Sequence, residues 1–221
     1  MNENRSSRWL IWTGPLFALL FLVATVVLES DGPGEKASGA EVMKYFNAHQ
    51  GRGMISVFAT PLVVALLLLF ASSVRTRARR HGESEVGATV MLAGAVLWAA
   101  GMLVGSLLDL ALLSASDNNQ SDVAQGANVL ASADWIPFIG GIAIFLIGAG
   151  LTVLASRVMP AWLGWIALVV GVVSLAGPGG FIGFFVAPLW ILVAGIMLAV
   201  RRDDTAPTTS DVTAQPSPAV S

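Results

Sequence analysis

The chain has 221 residues, enough for one or two domains in water, yet only 12% are charged and 55% are hydrophobic. Soluble globular chains carry about 25% charged residues, so an ordinary water-soluble fold is excluded. A net charge of −2 excludes a generally basic nucleic-acid binder, and the lack of cysteine excludes disulfides, a thiolate nucleophile and a Cys-ligated metal.

The hydrophobic residues fall in continuous blocks, with the charges between them. A hydrocarbon layer of ~30 Å takes ~20 apolar residues as a helix rising ~1.5 Å per residue. Six blocks predict six helices: Trp9 to Leu28, Met54 to Val74, Val86 to Leu113, Trp135 to Ser156, Ala161 to Ala176, and Phe181 to Val200. The third is longer than a bilayer requires and the fifth is short. Backbone in lipid must satisfy its own hydrogen bonds, so each block is expected to be helical. A barrel would need alternating segments of ~10 residues, which these are not. The expected fold class is an all-α membrane protein, a six-transmembrane-helix bundle spanning residues 9–202. Residues 1–8 form a short leading segment in this scheme.

Basic residues orient the bundle. Arg5, Arg8, Arg75, Arg77, Arg79, Arg80, Arg157, Arg201 and Arg202 fall on one side, and only Lys36, Lys44 and Arg52 on the other. Both termini are therefore expected in the cytoplasm. The leading Arg5 and Arg8 imitate a secretory signal. However, the run behind them exceeds the ~7–15 residues of such a signal and no A-x-A site follows, so the first helix is expected to stay.

The first outer loop contains the turn sequence Asp31-Gly-Pro-Gly34. Ser38 then precedes Glu41 at capping-box spacing, which predicts a short helix from Gly39 to about Gln50. Val42, Met43, Tyr45 and Phe46 give that helix an apolar side, expected to rest on the bundle as a lid. Ser121-Asp122 marks a second helix start. Asp134 can cap the fourth span, with Pro137 in its first turn where a missing N–H costs little. The turns Arg157 to Pro160 and Gly177 to Gly180 are short enough to make their flanking helices antiparallel neighbours. Residues 203–221, rich in Thr, Ser, Pro and Asp, read as a disordered tail.

Glycines recur at seven-residue spacing: Gly87, Gly94 and Gly101 in the third span, with Gly105 completing a GxxxG, and Gly141 and Gly148 in the fourth. Gly164 and Gly171 repeat the spacing in the fifth. Such ridges let helix backbones approach closely where lipid supplies no hydrophobic drive. Gly94, Gly101, Gly141 and Gly148 are expected to face neighbouring helices of the same chain, with a dimer seam as the other option. Pro61 and Pro188 interrupt the second and sixth spans. Trp9, Trp12, Trp162 and Trp165 at one interface and Trp135 at the other suit an aromatic belt.

A charged collar is expected at the outer end. Arg52 stands 23 positions before Arg75, Asp109 23 after Val86, Asp134 23 before Arg157, and Glu29 21 after Arg8. These four lie ~31–35 Å above the inner edge at ~1.5 Å per residue, just beyond the hydrocarbon. Arg52 is expected to pair with Asp109 or Asp134, with His49 nearby as a pH-responsive group. The collar acts either as a structural clasp or as the mouth of a binding site. At the opposite end, Arg75, Arg77, Arg79 and Arg80 serve as a topology signal or contact anionic lipid heads.

The segments Met159-Pro-Ala-Trp-Leu-Gly-Trp165 and Gly183-Phe-Phe-Val-Ala-Pro-Leu-Trp190 resemble the C-terminal half of a group of uncharacterised actinobacterial integral membrane proteins. Ala40-Glu-Val, Tyr45-Phe46 and His49-Gln-Gly-Arg52 resemble the same group ahead of its second helix. The resemblance implies six helices and a bacterial plasma membrane. It carries over no catalytic or binding residue.

No span has a charge near its midpoint, where ion-coupled transporters usually place one. His49 and His81 fall in loops on opposite sides, and no HExxH, G-x-S-x-G or P-loop occurs. No catalytic residue, cofactor or metal ligand is therefore expected. The function expected is non-enzymatic, acting through the lipid bilayer or a membrane-protein partner, with no nucleic acid. A transporter or channel for a neutral or lipidic solute, its mouth near Arg52, Asp109 and Asp134, is the alternative.

Overall fold

A computed structural model describes residues 9–28, 32–80, 85–133, 135–157, 159–176 and 180–200. Among the described residues the regular structure is all helical. A 3-10 turn at Leu10–Trp12 leads into α1 (Thr13–Leu28), then α2 (Gly39–Ala48), α3 (Gln50–Arg80) and α4 (Glu85–Asp117). They are followed by α5 (Ser121–Ala131), α6 (Trp135–Ser156), α7 (Ala161–Ser174) and α8 (Gly180–Val200). Four stretches are long and apolar enough to cross a membrane: Gln50–Arg79, Glu85–Asp117, Ser121–Ser156 and Gly180–Val200. Leu10–Val26 and Ala161–Ser174 are apolar but shorter. The chain is an α-helical membrane protein. The expected end segments 1–8 and 203–221, together with Glu29 and Asp134, lie outside the described residues.

The helices overrun their apolar blocks. α3 begins at Gln50 rather than Met54 and continues past Val74 to Arg80. Apolarity marks the part of a helix that lies in lipid, whereas propagation needs only residues that tolerate the helical backbone, as Arg and Ala do. α4 likewise continues to Asp117, where the chain reverses at Asn119 in a left-handed conformation, φ 55°. The Asn119 N–H donates to the Ser116 carbonyl at 3.3 Å and the Gln120 N–H to that of Ala115 at 2.9 Å. These two bonds make a Schellman stop, and asparagine is among the few side chains at home there. α6 stops on Arg157, φ 49°, whose N–H donates to the Val153 carbonyl at 3.1 Å. α7 ends at Ser174, slightly short of its apolar block.

The helices close on one another: α1 lies between α3 and α8, α3 packs on α4, α4 on α6, and α6 on α7 and α8. The most extensive of these contacts is α4 with α6. Gly87, Gly94 and Gly101 of α4 lie against Thr152, Phe145 and Phe138 of α6, while Gly141 and Gly148 of α6 lie against Trp98 and Met91 of α4. Each partner changes by seven residues in opposite directions, so the two helices are antiparallel and in register. Each glycine accepts the backbone of a residue on the other helix, and most of those residues are large. The ridge is therefore used inside the chain. Gly105, beyond this contact, is half-buried. Gly150 approaches the Gly164 carbonyl and Leu168, and Gly171 approaches Ile147, between α6 and α7.

Aromatic rings fill the bundle between these helices. Trp98 is fully buried, with Phe17 and Phe21 of α1 and Phe145 of α6 at centroid distances of 5.2, 5.7 and 5.8 Å, all edge-to-face. Trp190 of α8 donates its indole N–H to the Leu163 carbonyl of α7 at 2.9 Å. Pro61 inside α3 lacks the N–H that would serve the Val57 carbonyl, and the Ser106 hydroxyl of α4 donates to that carbonyl at 3.4 Å. In lipid no water could take that place, so the serine both satisfies α3 and ties it to α4.

Candidate functional site

The bundle end that carries α2 and α5 has a second, smaller core. Val42 of α2, Leu112 and Ala115 of α4, and Ala124 and Ala127 of α5 pack together there. α2 begins at a complete capping box: the Ser38 N–H donates to the Glu41 carboxylate at 2.8 Å, and the Ser38 hydroxyl takes the Glu41 N–H at 3.4 Å. The Ser38 hydroxyl also donates to that carboxylate at 2.9 Å, and these bonds from the Ser38 backbone N–H and hydroxyl hold the Glu41 carboxyl below its ordinary pKa. A methyl group at Gly39 would strike the Ser121 carbonyl oxygen, so α2 and α5 start in direct backbone contact. The Asn128 side chain donates to the Gly34 carbonyl at 3.1 Å and pins the segment leading into α2. α2 is thus a lid seated on its own helices. Gln50 donates to the Asp117 carboxylate at 3.0 Å and joins the start of α3 to the end of α4.

This folding back of α2 leaves a hollow of about 180 Å³ between the lid and the bundle. Its walls are Gly32, Pro33, Tyr45, Phe46, His49, Arg52, Gly53, Ser56 and Asp109. Three of the five expected collar residues, His49, Arg52 and Asp109, therefore line one site, while Glu29 and Asp134 lie outside the described residues. Arg52 is exposed and forms no ion pair with a described residue. The His49 ring stacks on Tyr45 at 4.5 Å, and its Nδ1 lies 2.9 Å from the Tyr45 carbonyl oxygen. A carbonyl only accepts, so Nδ1 carries a proton and Nε2 is the nitrogen left for other partners.

Sequence reasoning did not assign Tyr45, Phe46 and Ser56 to the collar. Helical spacing could have found two of them, since Tyr45 precedes His49 by one turn and Ser56 follows Arg52 by one turn. Gly32 and Pro33 had no such signal, because a turn sequence does not say where the turn lands.

At the opposite end two of the four clustered arginines, Arg77 and Arg79, are engaged by the fold. Arg77 donates to the Leu198 carbonyl at 3.1 Å, one of the last carbonyls of α8, which lack intrahelical partners. Arg79 pairs with Glu85 at 2.5 Å, with both side chains about half exposed. The Arg75 Nε is buried without a hydrogen-bond partner among the described residues. The side chain of Arg80 lies outside the described residues.

No protein-family model matches the chain, nor does any curated protein or solved structure.

Proposed function

We propose that the chain is a six-span protein of a bacterial plasma membrane, with both termini in the cytoplasm, that does no chemistry of its own. It acts by holding a lipid or a membrane-protein partner at the lidded end. Packing is the observation that carries this reading: α4 and α6 meet backbone to backbone along their glycines, and Trp98, Phe17, Phe70 and Phe145 are fully buried between the spans. Rings and glycines interlocked in this way suit a static scaffold better than a water-filled path. The polar groups gathered around the hollow belong to one end of the bundle and support binding there. Two of the six proposed spans are the shorter apolar helices α1 and α7, each packed against two other helices, α1 on α3 and α8 and α7 on α6 and α8.

Purified protein in sealed vesicles tests this directly. Leakage of neutral solutes such as glycerol is expected to match protein-free vesicles. Flux rising in proportion to protein would replace the scaffold with the transport alternative, for which the hollow would be the mouth. Orientation is tested separately, and the lack of native cysteine makes it simple. Single cysteines at Ser84 and Thr208 are expected to react with an impermeant thiol probe only from the cytoplasmic side, and those at Ser38 and Asn118 only from outside. Labelling of Ser84 from outside would reverse the orientation.

A further inference from the structure

We propose that Arg75, at the end of the bundle opposite the lid, holds the phosphate of an anionic phospholipid whose acyl chain lies in the groove between α3 and α4. The site is separate from the hollow under α2 and goes beyond the function proposed for that end.

An unanswered cation is the first support. Arg77 and Arg79 are engaged by the fold, but Arg75 has no ion pair or hydrogen-bond partner among the described residues. Its Nε is buried against the protein while its two terminal nitrogens are not, so the base of the guanidinium is fixed and the outer edge is open. That edge can grip one phosphate through two parallel hydrogen bonds. Level is the second support. The apolar run of α3 ends at Val74, so Arg75 stands at the edge of the hydrocarbon, where a long basic side chain turns its head toward the phosphates.

The groove is the third. α3 and α4 run antiparallel, with Gly53 against Leu113, the Val57 carbonyl on Ser106, and Arg79 on Glu85. That register sets Arg75 about level with Thr89, Leu68 with Val96, and Pro61 with Leu103. Leu68 and Pro61 precede Arg75 by seven and fourteen residues, close to two and four helical turns, and so share its side of α3. Pro61 and Thr89 are exposed and Leu68 is half-buried, while Val96 and Leu103 are exposed at 51% and 44%. The apolar strip between the helices therefore leads to the guanidinium, and a soluble phosphate would gain nothing from it. Charge selects the lipid. Arg75, Arg77, Arg79 and Arg80 outnumber Glu83 and Glu85 in this stretch of sequence. Such an excess attracts a headgroup of net negative charge and repels the ammonium of a zwitterionic one.

The test uses the full chain purified in mild detergent, with retained lipid measured by native mass spectrometry. Phosphatidylglycerol is expected to remain bound after washing and phosphatidylethanolamine to be lost. Arg75→Gln is expected to retain about tenfold less phosphatidylglycerol, which is ~1.4 kcal/mol of binding. Arg75→Lys keeps the charge without the paired nitrogens and is expected to fall between. Arg52→Gln, at the other end, is expected to bind as the unaltered protein does. Glycerol phosphate at millimolar concentration has the headgroup chemistry without acyl chains and is expected not to displace the lipid. Undiminished retention in Arg75→Gln or Arg75→Lys would overturn the proposal. Equal retention of the two lipids by the unaltered protein would do the same, as would an equal loss in Arg52→Gln. Displacement by glycerol phosphate would overturn it in favour of a soluble-anion site. Should Arg75→Gln fail to fold, Arg75→Lys and the comparison of the two lipids still decide. None of these outcomes moves the solute-flux result, so failure here stays distinct from failure of the scaffold function.

Discussion

Gly141→Ala is expected to destabilise the bundle severely, while Gly140→Ala, one position away, is expected to leave it unchanged or firmer. A methyl group at Gly141 would run into the backbone nitrogen and Cα of Trp98, whereas one at Gly140 would meet nothing within 4 Å. Backbone atoms cannot rotate aside as a side-chain tip can. α4 would have to move away from α6, and the reciprocal contacts of Gly94 with Phe145 and Gly148 with Met91 would open with it. Overpacking of this kind costs about 1–3 kcal/mol and sometimes more. At Gly140 the substitution gains up to ~1 kcal/mol of helix propensity with no clash to offset it. Gly101→Leu belongs with Gly141→Ala, since Phe138 Cα lies only 2.9 Å from where its Cβ would be. Thermal unfolding in detergent reads all three variants. Gly141→Ala melting together with the unaltered protein would mean that the two helices do not meet as described.

Trp98→Ala is expected to cost about 3–5 kcal/mol, the range for removing a large buried aromatic. Trp98 is completely buried, with rings from α1 and α6 around it. In lipid this loss is mainly one of packing, because the surroundings of an unfolded span are as apolar as the core. Trp98→Phe separates two effects. The indole Nε1 is buried with no hydrogen-bond partner among the described residues, which costs about 1–3 kcal/mol. Phenylalanine removes that donor but fills less space, so Trp98→Phe is expected to lie close to the unaltered protein and well above Trp98→Ala. Unfolding temperatures in detergent give the order. Equal melting of Trp98→Ala and the unaltered protein would show that the aromatic cluster contributes no stability.

Much of the local structure was legible in the amino-acid order because its causes are local. Ser38 and Glu41 cap α2 through contacts three residues apart. The continuous apolar blocks marked the long apolar helices. Glycine spacing announced the α4–α6 ridge, since in lipid a missing side chain is a packing signal even where polarity gives none. The common level of Arg52 and Asp109 followed from counting along helices whose rise per residue is constant, and both now line one hollow.

Other features were decided only in three dimensions. A soluble helix betrays its buried face by a polar stripe on the other side, but these spans are apolar all round, so the sequence does not say which face meets protein and which meets lipid. Gly94 and Gly140 look alike as letters, yet one is pressed against Phe145 and the other has open space beside it. The Val57 carbonyl freed by Pro61 found Ser106, 49 positions later in the chain, only because α3 and α4 lie side by side. The hollow exists because α2 doubles back onto α5 and the end of α4, bringing Tyr45, Arg52 and Asp109 around one space. Helix formation is settled within four residues of each position, whereas helix pairing is a competition among many similar apolar faces. Only the assembled bundle resolves that competition, through close backbone contact.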